Sequence, residues 1–166
     1  MTVSLVPLPA SDLAEWMAVQ RSGYIADRMR AGDDEEAATR TADASYERFF
    51  PDGAPAEGHD VLRITDDGRP VGTIWLGPHP SGLEGVWWVW DVEVDASERG
   101  LGHGRAAMLL AEEHVAARGG RALALNVFGF NTPARGLYES LGYETTAVQM
   151  RKELGRVDAE RASEAS

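Results

Sequence analysis

The chain has 166 residues, a formal charge of −11 at pH 7 and no cysteine. That length holds one domain with a proper core and is short for two. The acidity excludes a general nucleic-acid binder, which needs a cationic stripe, and the missing cysteines exclude disulfides, thiolate metal sites and a cysteine nucleophile.

No apolar run approaches the ~20 residues that cross a bilayer. The opening MTVSLVPLPASD lacks the basic and apolar regions of a secretory signal, so the expected compartment is the cytoplasm, with no membrane partner. His59, His79, His103 and His114 show no metal-ligand spacing, and no metal is expected.

Val3 to Leu8 reads as a first strand, ended by Pro7 and Pro9. Ser11-Asp12 offers an N-cap to a helix whose Leu13, Trp16, Met17 and Gln20 share a face. This helix runs to Gly23 or restarts through Tyr24, Ile25 and Met29, stopping by Gly32. A second helix is predicted from Asp33 to Phe50, opened by four acids that suit the positive end of a helix dipole. Pro51 to His59 is a turn-rich loop. Val61–Thr65 and Val71–Leu76 then flank an Asp67-Gly68 pair, a hairpin signal.

After a loop from Gly77 to Gly82, period-two alternation predicts a half-buried strand from Val86 to Val94. It leads into Gly100, Gly102 and Gly104, bracketed by Arg99 and Arg105, and then into helix formers that stop after Arg118 at Gly119-Gly120. Ala122 to Phe128 is another strand. Asn131 suits an N-cap, and Ala134, Leu137, Tyr138 and Leu141 form one inward stripe ending at Gly142. Gly136 inside so short a helix suggests close approach of another backbone or a ligand. A single domain over residues 1–154 and a frayed tail over 155–166 are expected.

Strand, glycine turn and helix start, in that order, aim several N–H groups and a helix dipole at one point. Glycine lets an anion reach the backbone. The stretch is thus either a tight connection or a pyrophosphate cradle. It is not a Walker loop, because Gly104 is followed by Arg105 and Ala106. Nor is it the dinucleotide fingerprint, because the glycines are spaced GxGxG and the next strand has no acid. The remaining pattern, Arg-x-x-Gly-x-Gly on Arg99, Gly102 and Gly104, closely resembles the acetyl-CoA signature of the GNAT superfamily of N-acetyltransferases. The segment from Asn131 to Tyr143, NTPARGLYESLGY, resembles that family's later motif of Asn, helix, Leu-Tyr and Leu-Gly-aromatic. The resemblance covers about Trp88 to Met150.

The resemblance implies an α/β (α+β) fold, with a mixed central sheet of six or seven strands, splayed in the middle and flanked by helices, and acyl-CoA in the gap. It implies that the main chain of Val92, Glu93 and Val94 pairs with the pantetheine. Arg99 and the N–H groups of Gly100, Leu101, Gly102, His103, Gly104 and Arg105 would hold the pyrophosphate, with the backbone of His103 mattering more than its ring. Asn131 would bind pantetheine. Tyr138 would face the sulfur, where a phenol of ordinary pKa ~10 can give a proton to the departing thiolate.

The general base stays open. The glutamate that some family members carry on the strand after the glycine-turn helix corresponds to Asn126, which cannot serve. Glu93 is the first choice, beside Asp91 on the same strand face, or water. The implied function is acyl-CoA-dependent N-acyl transfer, most simply from acetyl-CoA to an amine by direct attack in a ternary complex; the alternative is a non-catalytic acyl-CoA-binding module. Of Trp75, Trp87, Trp88 and Trp90, most are expected in the core and one or two in the acceptor pocket. The acceptor, a small-molecule or peptide amine, carries no motif, and a homodimer stays open.

Overall fold

The computed structural model describes residues 1–154, so the tail expected over 155–166 lies outside the described residues. Five strands, β1 (Val3–Pro7), β2 (Asp60–Asp66), β3 (Arg69–Pro78), β4 (Val86–Val94) and β5 (Ala122–Leu125), lie side by side in chain order. Neighbours are antiparallel except for the parallel β4–β5 pair. Four helices flank them: α1 (Ala10–Arg30), α2 (Glu35–Phe49), α3 (His103–Ala117) and α4 (Thr132–Ser140). Among the described residues no helix is long and apolar enough to cross a membrane.

Each sheet face has its own core. Leu62, Ile64, Val71, Ile74, Leu76 and Val89 meet Ala107, Met108, Ala111 and Val115 of α3 and Tyr138 of α4. The opposite face is aromatic: Trp75 packs with Leu13 and Trp16 of α1, and with Phe49 and Phe50 at the end of α2. The hairpin turn is as the Asp-Gly pair predicts. Asp67 and Gly68 have φ of 48° and 80°, the backbone that matches strand twist in a two-residue turn.

The site depends on what happens to β4 past its midpoint. Trp75 pairs with Asp91 and Leu76 with Val89, so Trp90 is an extra residue and the strand bulges there. On the other side, β5 pairs only with Val86 to Val89. From Trp90 to Val94 that edge of β4 has no neighbouring strand, which is the expected splay. Past the bulge, Val92 and Val94 pack towards the α3 side.

Several sequence expectations are corrected. The sheet has five strands among the described residues, not six or seven. Residues 144–154 join no ladder, being held at their ends by Tyr143 donating to Glu112 Oε1 at 3.0 Å and Arg151 donating to the Gly32 carbonyl at 2.5 Å. β5 stops at Leu125, so Asn126 to Phe128 is not strand; Phe128 instead turns to stack on Phe130 at 5.3 Å. α1 starts at Ala10 behind Pro9 and runs unbroken through Gly23. Ser11-Asp12 is not its cap because Asp12 pairs with Arg63 of β2. α2 is shorter than predicted, capped by Asp34 accepting from Ala37 N at 2.7 Å. Apart from its chain neighbours and its own helix, no atom among the described residues lies within 4 Å of where a Gly136 Cβ would stand, so no backbone of another described element approaches it.

Gly72 faces Val94 across the β3–β4 ladder, and a Cβ there would run into the Glu93 carbonyl and, at 3.0 Å, the Val94 Cα. Both obstacles are backbone and cannot rotate away. Gly72→Ala is expected to cost about 1–3 kcal/mol, lowering Tm by roughly 2–4 °C per kcal/mol. Thermal unfolding measures this; an unchanged Tm would show that β4 is not so tightly seated.

Candidate functional site

The glycine turn meets the requirements of an anion cradle. Gly100 and Gly102 have φ of 78° and 90°, a region open to glycine and costly for other residues. α3 begins at His103, and its first main-chain bond across this boundary is Ala106 N to the Gly102 carbonyl at 3.0 Å. The N–H groups of residues 100–105 have no partner among the described residues. Unbonded donors at a helix start, together with the α3 dipole, suit an anion. Leu101 projects outward, 58% exposed. The Arg105 side chain is tied to Ser140 on α4.

The backbone of His103 was expected to matter more than its ring, and the ring is 2% exposed. Nδ1 lies 3.2 Å from the Glu98 carbonyl and Nε2 lies 3.2 Å from Asp66 Oδ2. Glu98 is in turn gripped by Arg69 at 2.5 and 3.1 Å. Burial penalises the Asp66 charge, yet hydrogen bonds from His103 and the Thr2 backbone hold its carboxyl below the usual range; hydrogen bonding from Arg69 does the same for Glu98. The chain of contacts fastens the cradle to the β2–β3 hairpin. A buried polar ring at the start of a helix could have been suspected from sequence, but its partners are 5 and 37 residues away in the chain.

Arg99, expected to help hold the pyrophosphate, contacts the end of β4. Its Nε donates to the Val94 carbonyl at 3.0 Å, and Nη2 is 3.7 Å from Glu93 Oε1. Glu93 also accepts from Gln20 Nε2 at 2.8 Å, so this exposed carboxylate already has two partners. Asp91 differs. Its Oδ2 is out of reach of water and has no partner among the described residues. Burial, followed by the charges of Glu93 and Asp27, pushes its pKa up to about 7.

Tyr138 is 9% exposed within the α3-side core, 5.9 Å from the Tyr143 ring. Burial, then the Asp91 charge, pushes its pKa up to about 12. Its hydroxyl has no hydrogen-bond partner among the described residues. Asn131 is the α4 N-cap, its Oδ1 accepting from Ala134 N at 3.3 Å. No group of three or more metal-ligating side chains converges among the described residues.

Residues 15–143 match the acetyltransferase (GNAT) family. A Bacillus subtilis protein described as an uncharacterized N-acetyltransferase, YdgE, is 31% identical over 121 residues, which is 72% of this chain and 77% of the relative. A mycothiol acetyltransferase of Thermomonospora curvata is 32% identical over 142 residues, 86% of this chain but 44% of the relative. In fold, the chain is similar to the solved structure named for the acetyltransferase YycN of Bacillus subtilis. The TM-score is 0.84 at 24% identity, over 92% of this chain and 99% of the other.

Removing the His103 ring would leave the Asp66 carboxylate buried with one partner fewer, and would free the turn. His103→Leu is expected to weaken coenzyme A binding by about tenfold, the scale of one lost charge-assisted hydrogen bond, with His103→Gln between it and wild type. Calorimetric titration measures this; equal affinities would show that the cradle holds its shape unaided.

Proposed function

The chain belongs to the acetyltransferase (GNAT) family and is an N-acetyltransferase, and from that premise we propose that it transfers an acetyl group from acetyl-CoA to an amine by direct attack in a ternary complex. The observation that carries this reading is the pairing of an unbonded row of amides at residues 100–105 with a β4 edge uncovered from Trp90 to Val94. The first suits two linked phosphates. The second suits an extended, amide-bearing chain that adds itself as a strand. Because Arg99 occupies the Val94 carbonyl, it has to release that oxygen before pantetheine can pair there.

The residues divide the chemistry. An amine of pKa ~10 is mostly charged at neutral pH and must lose a proton before it attacks. Of the two strand carboxylates, geometry favours Asp91 as the acceptor of that proton: it is unpartnered and shifted to about 7, where a base works best. Glu93, held by Gln20 and Arg99, contributes its charge, which helps to set that shift. As the nitrogen bonds the acyl carbon, a main-chain N–H near Val94 stabilises the charge growing on the carbonyl oxygen. Tyr138 keeps its proton at every working pH and donates a hydrogen bond to the sulfur as the C–S bond breaks. A free thiol, at ~8.5, is the stronger acid, so stabilising thiolate charge comes before delivering the proton. Asn131 orients the pantetheine beside α4.

Tyr138→Phe is expected to lower kcat by about 100-fold or more while leaving the Kd for CoA within about twofold, read by CoA release and by calorimetry. A variant as fast as wild type on a confirmed acceptor would remove Tyr138 from the chemistry.

For Asp91, kcat/KM is expected to rise with pH through about 7 and to lose that rise in Asp91→Asn. In the unfolded chain the carboxyl ionises near its ordinary 3.8. Its charge therefore costs the fold nothing below that pH, costs progressively more up to about 7, and costs the full amount above. Asp91→Asn should accordingly unfold at a higher temperature than wild type at pH 8 and show no such gain at pH 4. A flat pH–rate profile in the wild type would exclude Asp91 as the base.

A further inference from the structure

Three buried side-chain polar atoms are sealed without a partner among the described residues: Asp66 Oδ1, Trp90 Nε1 and Asp91 Oδ2. No ligand reaches a sealed atom, so these carry no site. Two ring nitrogens are in the opposite position, without a partner among the described residues and not sealed: Nε2 of His59 and Nε2 of His79. Both rings line one hollow of about 200 Å³, between the end of α2 and the loop that follows β3.

The tautomer of each ring follows from its other nitrogen. Trp75 Nε1 donates to His59 Nδ1 at 3.0 Å, and the Ser81 N–H donates to His79 Nδ1 at 3.1 Å. An indole and a main-chain amide can only donate, so each Nδ1 is bare and each ring proton sits on Nε2. The nitrogen left open is therefore a donor in both rings. Local sequence fixes their positions. Pro78 and Pro80 set φ on either side of His79. The His59 ring lies against Gly77, where a Cβ would overlap its Nδ1.

The third donor is Arg48, in the last turn of α2. Arg40, earlier on the same helix, is paired with Glu36 at 2.6 Å; Arg48 has no such partner among the described residues, and its guanidinium carbon lies 5.1 Å from the Phe49 ring centre. Burial lowers the His59 pKa and the Arg48 charge adds to this, against the charge of Asp60. Asp60 is itself held by His114 at 2.8 Å and Arg118 at 3.7 Å. The chain has 27 acidic residues, yet no described acidic side chain lines this hollow.

A set of donors with no acceptor side chain suits an anion. The remaining walls include Phe49 and Trp90, whose rings are 4.3 Å apart, and they suit an apolar body; a cavity of about 150 Å³ accepts a benzene ring. The larger depression of about 430 Å³ shares Arg48, but its Thr41 and Ser45 hydroxyls are spent on carbonyls of their own helix at 2.9 Å.

We propose that the hollow binds a small carboxylate with a flat apolar body, held by the Nε2–H groups of His59 and His79 and by the Arg48 guanidinium. The site uses no atom of the glycine turn, of Asp91 or of Tyr138, and so stands apart from the acyl-transfer reading.

The test titrates the whole chain with benzoate by calorimetry, with CoA in excess so that the glycine turn offers no second anion site. Benzamide has the same shape without the charge, benzylamine reverses the charge, and inorganic phosphate is an anion without an apolar body. Benzoate is expected to bind about tenfold tighter than benzamide, the scale of hydrogen bonds to a charged group, with benzylamine weaker still and phosphate unable to displace it. Arg48→Gln and His79→Leu should each weaken benzoate by about 3–10-fold. Arg40→Gln, which removes the same charge from an earlier turn of α2, should change it by less than about twofold. His59 is packed among Phe49, Trp75 and Trp90 and is left intact. Its part is read by long-range proton–nitrogen NMR, which should show both rings as Nε2–H tautomers and both Nε2 signals moving as benzoate is added.

Equal binding of benzoate and benzamide, an equal loss in Arg40→Gln and Arg48→Gln, displacement by phosphate, or an Nδ1–H tautomer at either ring would overturn the proposal. In CoA-release assays on an amine that is turned over, competition between benzoate and the amine would assign the carboxylate to the acceptor, and its absence to a separate small acid; both outcomes uphold the site.

Discussion

A strand that keeps a neighbour along only half of one edge leaves peptide groups bare, and bare peptide groups inside a protein demand a partner. β4 is in that position. β5 covers it to Val89 and no further, and the bulge at Trp90 re-aims the strand where cover ends. The surrounding arrangement follows from this. Arg99 meets one exposed carbonyl, the glycine turn continues the row of unpaired donors into the start of α3, and α4 brings Tyr138 up against the same core. A fully paired sheet would be more satisfied and would leave no open edge on β4.

The sheet's two faces divide the labour. The aliphatic face with α3 is conventional packing and seats the cradle. The aromatic face with α1 and α2 is a poor solvent for charge, and it is there that β4 places Asp91. Apolar surroundings act on Asp91 and Tyr138 in the same sense, favouring the protonated form of each. The outcomes differ because the starting points differ. A carboxyl moved up from 3.8 comes within reach of neutral pH, whereas a phenol moved up from 10.0 leaves that range further behind. Burial on the two faces of the sheet thereby yields a group that can take a proton and a group that keeps its own.

How much of this the sequence disclosed follows from the range of each interaction. The hairpin at Asp67-Gly68, the glycine turn, and the Asn131 cap with the Tyr138 stripe were legible because each is specified within a few residues. Strand count was not, since a ladder needs a partner that periodicity does not name; Ala122 to Phe128 alternates well enough, yet only Ala122 to Leu125 finds β4. Ser11-Asp12 looked like a cap because nothing nearby reveals that Arg63 competes for Asp12. The proposed preference for Asp91 over Glu93 rests on Gln20, Asp27 and Arg99, which come from α1 and from the turn beyond β4. The ring of His103 and the bare indole of Trp90 were hidden for the same reason.

The fastening of the cradle to the hairpin reaches the first residue of the chain. Met1 N lies 3.9 Å from Asp67 Oδ2, and Met1 Cε lies 4.0 Å from where a side chain on Gly102 would begin. Any residues fused ahead of Met1 therefore emerge at the lip of the glycine turn, where an affinity handle would crowd the mouth proposed to admit the phosphates.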